Sequence, residues 1–449
     1  MFHKASALLE GAFRLDYTTA HILGSLFDRD SDKPLHRLKR RLADAYGAHW
    51  SFPSTNGTTI LNILALLSAC PMGGRVLVNR DAHSSLTAAL IHGGFEPVYL
   101  APEYDAELGL STGPALDRFD ALFSGERVDC VFLTSPNYFG IVGDIAAILE
   151  RAHARGIPIV VDAAHAPHFH FCSSLPLAAE DLGADLVAQS THKVATALSQ
   201  GSLLLVNNPI FIDALYEHVN ELGFVSTSFS YPILASLELG VQQLVEEGEE
   251  IWSRTVERAE RFRRQLQGLS KLTCFGRERV SSPGFHDLDG TRITVDVSRT
   301  GLTGFDVERQ LNREWIYPEM ATLRHLLFLL TPGTTESDLE RLAASLTRID
   351  RVGQTRPPRW LPPPPPVPPM AVIPRTAKYS QKRAVPLSDA VGRVSGETIS
   401  AYPPGAPVIA VGEIVSREAL EYLRCLKDSG AALRGAADEH FETLRVLSS

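Results

Sequence analysis

Positive charge is in short supply: 43 Lys and Arg stand against 52 Asp and Glu, a formal charge of −9. Such a surface repels phosphate backbones and anionic lipid, so neither nucleic acid nor a membrane is expected as a partner, whereas a small cation is electrostatically welcome. Cysteine is scarce and scattered. Cys70, Cys130, Cys172, Cys274 and Cys425 are odd in number and contain no C-x-x-C pair, which excludes a disulfide framework and suits a reducing compartment. Apolar runs are short: the longest, such as Leu61 to Cys70, stop well below the ~20 residues needed to cross a bilayer. No charged, then apolar, then small-residue segment opens the sequence. We therefore expect a soluble, cytoplasmic protein.

What is present is ordinary globular material. Apolar residues make up 44% and charged residues 21% of the 449 positions, excluding a disordered or fibrous chain and allowing two or three domains. From about residue 50 to 240, helical patterns alternate with short β-branched runs: RVLVN (75–79), EPVYL (96–100), CVFLT (130–134), PIVVDAA (158–164), DLVAQS (185–190) and SLLLVN (202–207). This is the pattern of a parallel α/β sheet covered by helices, with ligands beyond the carboxyl ends of its strands. A charged helical pattern then leads to RITVDVS and a further helix–strand–helix run, which reads as a smaller α+β domain. Five consecutive prolines within 356–369 favour an extended spacer. The expected division is 1–245 for an N-terminal segment and major domain, 246–355 for the small domain, 356–369 for the linker and 370–449 for a C-terminal domain.

Four local features carry chemistry. Ser190, Thr191, His192 and Lys193 follow directly on a strand candidate, which puts Lys193 at a carboxyl end. A lysine there can form a Schiff base with an aldehyde once its pKa falls, and Ser190 and His192 are placed to donate to a phosphate. A solvated loop lysine has the same local sequence. Asp162 closes an apolar strand, so its carboxylate needs a partner. A permanently protonated pyridine nitrogen is one such partner, and a strand-end capping role is the plain alternative. Ser54, Thr55, Asn56, Gly57, Thr58 and Thr59 precede an apolar helix, offering hydroxyls and backbone N–H groups to an anion or serving as a simple N-cap. His83 follows the strand 75–79, where an imidazole can stack on a planar ring.

The order of these features, with STNGTT, NRDAHSSL, TSPNYFGIVGDI, VDAAHAPHF, GADLVAQSTHK, LSQGSLLLV and, later, VGRVSGETISAYPPGAPVIAVGEIV, resembles the prokaryotic ornithine/lysine/arginine decarboxylases. The resemblance runs through nearly the whole chain. It implies a fold-type-I, aminotransferase-like major domain binding pyridoxal 5′-phosphate, with Lys193 as Schiff-base lysine, Asp162 as pyridinium partner and His83 as ring-stacking residue. It implies Thr58, Ser190 and His192 as phosphate contacts, Thr59 as a further candidate, and His165 beside the reactive face. The implied reaction is decarboxylation of a basic L-amino acid to a diamine or agmatine, in at least a homodimer. The response-regulator-like wing of the long family members is not in this sequence, which resembles the short form.

Two further readings concern substrate and outcome. The distal cation needs a carboxylate, for which Glu319 and Glu413 are the candidates. The segment Asp162 to Phe171 departs from the pattern common in short relatives, which keeps a transaminase or an O2-using oxidase or hydroxylase as the alternative outcome. His165, His168 and His170 are spaced H-x2-H-x-H, which matches no zinc pattern, so no metal is expected.

Overall fold

The computed structural model describes residues 28–29, 32–221, 228–354, 362–402 and 405–448. Its largest element is a seven-stranded sheet: β1 (Trp50–Ser54), β2 (Arg75–Asn79), β3 (Glu96–Leu100), β4 (Cys130–Thr134), β5 (Ile159–Asp162), β6 (Leu186–Gln189) and β7 (Ser202–Val206), in spatial order β1-β7-β6-β5-β4-β2-β3. The last five pair in parallel, and β7 runs antiparallel to both β6 and β1. The sheet is therefore mostly parallel, as expected, with the one reversed strand β7. β1 did not stand out in the sequence, because WSFPS mixes proline and serine into the run.

Period-2 alternation sends each strand's side chains to two faces. Leu77, Val131, Val161 and Leu205 pack on one face against α1 (Pro34–Ala45), α4 (Leu116–Gly125), α5 (Ile145–His153) and α8 (Tyr231–Leu266). Val78, Phe132, Val160 and Leu204 pack on the other against α2 (Gly57–Ala69), α3 (Ser85–Gly93) and α7 (Ile212–Glu221). Both faces of the sheet are thus dry, as the near-continuous apolar strands require.

The boundary expected at 245 falls inside α8, one uninterrupted 36-residue helix. Leu237 and Trp252 pack it into the core of the large sheet. Its last turns carry Ala259, Phe262 and Leu266 into a second core, formed with Ile293, Val295, Leu326 and the helices α9 (Gly304–Asn312) and α10 (Glu336–Val352). That core covers a four-stranded antiparallel sheet of β8 (Thr273–Cys274), β9 (Arg292–Asp296), β11 (His325–Leu329) and β10 (Met320–Ala321), in that order. Two glycines let α8 lie close to its neighbours. A Cβ on Gly240 would sit 3.3 Å from the backbone of Thr196, and one on Gly248 only 2.7 Å from Phe171 Cβ. Residues 382–447 form a third core around Ile399, Ile409, Leu423 and Val446. Residues 356–361 of the proline segment lie outside the described residues.

Candidate active site

Because β1, β2, β4, β5 and β6 share one direction, their carboxyl ends meet at one edge of the sheet, and antiparallel β7 begins there. Every strand-end residue singled out in the sequence arrives at that edge. β6 leads through Ser190 into the single turn α6 (Thr191–Val194), which carries Lys193. The Lys193 Nζ lies 3.3 Å from His165 Nε2. The walls around the amine desolvate it and lower its pKa; nearby Arg292 acts in the same direction, while Asp162 and Glu319 oppose. His165 is buried, and burial together with Arg292 and Lys193 holds its pKa well below the usual histidine value. A neutral imidazole results, able to accept a hydrogen bond from Lys193.

Asp162, 3% exposed at the end of β5, accepts from Ala164 N at 3.1 Å and from Asn62 Nδ2 at 2.8 Å. His83 lies in the connection between β2 and α3 and is exposed. Its Nδ1 sits 3.0 Å from Ser85 Oγ and accepts from Ser85 N at 3.2 Å. Although the residue keeps an exposed side, the protein packed around the imidazole desolvates it and, with the charge of Lys193, lowers its pKa, against Asp162.

The anion-binding segment opens α2. Gly57 takes φ +77°, a left-handed conformation suited to glycine, and its N–H donates to Gln200 O at 3.0 Å. Asn56 is the N-cap residue but places no side-chain oxygen on the first turn. The first-turn N–H groups thus lack side-chain caps at the positive end of a 13-residue helix. Thr58 Oγ1 lies 2.6 Å from Ser190 Oγ and 3.1 Å from Ser202 Oγ, gathering three hydroxyls beside that helix start. Thr55 is buried behind them, while Asn56 and Thr59 are exposed. His192 Nδ1 sits 2.9 Å from Gly201 O, so this nitrogen carries the proton. Its Nε2 can then donate to an anion only as imidazolium, a restriction the sequence did not reveal. An amine, a hydroxyl-lined helix start and a buried carboxylate together fit an aldehyde-bearing, phosphorylated pyridine, that is, pyridoxal phosphate.

The family model for the Orn/Lys/Arg decarboxylase major domain matches residues 8–338, and that for the Orn/Lys/Arg decarboxylase C-terminal domain matches residues 363–440. The chain belongs to this decarboxylase family. Among similar family members is the arginine decarboxylase of Bacillus subtilis, 32% identical over 90% of this chain and 84% of that enzyme. The arginine decarboxylase of Halalkalibacterium halodurans is 32% identical over 99% of this chain and 93% of its own length. The solved constitutive lysine decarboxylase of Escherichia coli superposes with a TM-score of 0.81 at 24% identity, covering 99% of this chain and 77% of that one. A serine palmitoyltransferase of Sphingomonas wittichii shares the fold more distantly, at a TM-score of 0.55 and 14% identity. The fold is thus the fold-type-I fold expected of the family.

The two carboxylates offered for substrate separate clearly. Glu319 is exposed and accepts from Tyr138 Oη at 3.2 Å, close enough to Lys193 for its charge to be felt there. Glu413 is fully buried in the C-terminal domain, and both its oxygens are engaged by the Arg80 guanidinium. That corrects the reading of Glu413 as a substrate carboxylate: buried and engaged by Arg80 and by Ala410 N, it is an interdomain clamp. The three histidines of the H-x2-H-x-H segment go to different neighbours. His165 meets Lys193, His168 packs at a tilt against Trp252 with ring centroids 4.2 Å apart, and His170 pairs with Asp181 at 2.7 Å.

Three residues of the site escaped sequence reading. Tyr138, after β4, sets its ring edge-on to His165 at 4.8 Å. Arg292, 2% exposed on β9, is held by Asp289 at 3.2 Å and donates to Tyr138 O at 2.8 Å. Asn62 lies 1% exposed in α2. The available signals were an arginine at the head of the otherwise apolar RITVDV and a single amide within GTTILNILALL.

Proposed function

We propose that this chain is a pyridoxal 5′-phosphate-dependent decarboxylase of a basic L-amino acid, with arginine as its substrate and agmatine and CO2 as products. The observation that carries the reading is the Lys193 amine, 3.3 Å from a neutral His165 at the edge that also holds Asp162 and the hydroxyl-lined start of α2. When bound, the cofactor supplies an electron sink for the pair left at Cα as CO2 departs. Lys193 would hold its aldehyde carbon, Thr58, Ser190 and the first-turn N–H groups would hold its phosphate, and Asp162 and His83 would meet its ring nitrogen and ring face.

The chain's own groups then manage orientation and protons. Asp162, held by hydrogen bonds from Asn62 Nδ2 and Ala164 N, would face the ring nitrogen with its negative charge and stabilise a proton there. Lys193, with its pKa lowered and one N–H directed at His165, would be the donor to Cα. Glu319, oriented by Tyr138, receives the distal guanidinium. The choice of arginine follows the relatives: four at 32–33% identity, covering 82–99% of this chain, are named arginine decarboxylases, a fifth at 32% carries no activity in its name, and the lysine decarboxylases stand at 23–25%.

The same reading makes the chain a cytoplasmic homodimer that serves polyamine biosynthesis. Its support includes apolar surface beside the site, with Leu198 52% and Leu239 65% exposed. Purified protein is given pyridoxal phosphate and then arginine, lysine or ornithine, while CO2, amine, ketoacid and peroxide are assayed. Stoichiometric CO2 and agmatine, with the cofactor's visible band abolished in Lys193→Ala, is the expected result. Ketoacid or peroxide in place of CO2 would move the reaction to the transaminase or oxidase class. Among the described residues no helix is long and apolar enough to cross a membrane.

A further inference from the structure

Asn62 stands four residues beyond Thr58 on α2, hence on the same helix face. Its amide nitrogen donates to Asp162 Oδ2 at 2.8 Å and to Ser85 Oγ at 3.0 Å. The orientation of the amide is decided by chemistry: turning it over would set its oxygen against a carboxylate. With Ser85 Oγ accepting from Asn62, the hydroxyl proton is free to donate to His83 Nδ1, 3.0 Å away. The backbone N–H of Ser85 donates to the same nitrogen at 3.2 Å. A nitrogen that receives two donors carries no proton, so the imidazole proton resides on Nε2. Asn62 Oδ1 is buried with no hydrogen-bond partner, a cost of the kind a residue kept only for packing would avoid.

We propose that Asn62 is a positioning residue that couples Asp162 to His83 through Ser85, holding the carboxylate in place and His83 in its Nε2–H tautomer. The inference rests on reading this edge as the pyridoxal phosphate site, whose ring nitrogen and ring face these two residues would meet. One helix then sets both ends of the cofactor, with the phosphate at its first turn and the ring orientation one turn later. Ser85 is the relay, and α3, which Ser85 opens, carries no other group in it.

The test uses the full-length chain in two forms. In the cofactor-free protein, the imidazole 15N and 13C shifts of His83 report its tautomer. Wild type is expected to show the Nε2–H signature, and Ser85→Ala and, less strongly, Asn62→Leu an Nδ1–H population above that of wild type, the Ser85 backbone N–H still holding part of the Nε2–H form. In titrations with pyridoxal phosphate, Asn62→Leu is expected to bind about tenfold more weakly or worse, having lost a charge-assisted hydrogen bond. Asn62→Asp, which is nearly isosteric, sets a second carboxylate beside Asp162. Its affinity relative to wild type should recover as the pH falls and a shared proton restores the donor. A merely structural role would show no such pH signature. Wild-type affinity in Asn62→Leu together with an unchanged His83 signature overturns the proposal. A wild-type chain that does not bind pyridoxal phosphate overturns the functional reading instead, and the His83 signature in the cofactor-free variants still decides the relay.

Discussion

Replacing Glu413 with alanine strands a cation. Arg80 is 9% exposed in its side chain, and Glu413 not at all. Both carboxylate oxygens accept from the guanidinium, which also donates to Pro407 O at 3.0 Å and Val408 O at 2.9 Å and lies over the Tyr99 ring at 4.6 Å. Burial raises the Glu413 pKa against the pull of Arg80, so desolvation offsets much of the attraction. Net worth and cost of removal therefore differ sharply. Glu413→Ala should cost about 3–5 kcal/mol of docking or folding stability, because the guanidinium is left buried without its counter-charge. The double variant Arg80→Met/Glu413→Leu should cost far less, because neither charge remains. Urea denaturation gives the stability, and hydrogen exchange over residues 382–447 shows whether the C-terminal domain loosens first. Since Arg80 precedes His83 by three residues, the single variant should also weaken cofactor binding. A single-variant cost below about 1 kcal/mol, or a double variant that loses the sum of both singles, would refute the reasoning.

Other outcomes follow from the same geometry. Glu319→Gln keeps the Tyr138 hydrogen bond but removes the charge, so KM for arginine should rise about tenfold with a smaller change in kcat; an unchanged KM would remove Glu319 from the substrate site. Gly248→Ala should destabilise by about 1–3 kcal/mol despite alanine's better helix propensity, because its Cβ would meet Phe171 at 2.7 Å; a higher urea midpoint would contradict this. His168 is buried, and burial drops its pKa from 6.5 to about 4, so the unfolded chain takes up the proton first as the pH falls. Its contribution is full above pH 6.5 and is lost towards pH 4, by up to about 3 kcal/mol. Glu180 and Asp81, raised by burial to about 7 and about 6, slope the other way, so His168→Gln is compared with wild type at each pH. The wild-type advantage should shrink steadily between pH 6.5 and 4.

Much of this architecture was legible because strands buried on both faces advertise themselves. RVLVN, CVFLT and SLLLV are continuous apolar runs, and each became a strand of the large sheet. Direction was not legible: SLLLV is apolar throughout whichever way it runs, and only its pairing makes β7 antiparallel. In the site, Lys193, Asp162 and His83 could be singled out because each follows a strand's carboxyl end in the sequence. Asn62, Tyr138 and Arg292 owe their place to contacts between residues far apart in the chain, such as Asn62 with Asp162, 100 residues away. Glu413 misled for the opposite reason. A glutamate within AVGEIV looks unpaired until Arg80, 333 residues distant, is folded against it.

The 36-residue helix α8 has a consequence for selectivity. At 1.5 Å per residue it is a rod of about 54 Å, gripped by the large sheet at one end and by the second core at the other. Lys193 belongs to the first body and Glu319 to the second, so no flexible joint along α8 sets the gap between the amine and the carboxylate. With Glu319 in the role proposed for it, such a site would measure its substrate as a gauge does, by length. Shortening the side chain by a methylene is then answered by a fixed span rather than by closure. Retuning the enzyme for a different amino acid would fall to the few residues around Glu319, leaving the cofactor machinery of the large sheet untouched.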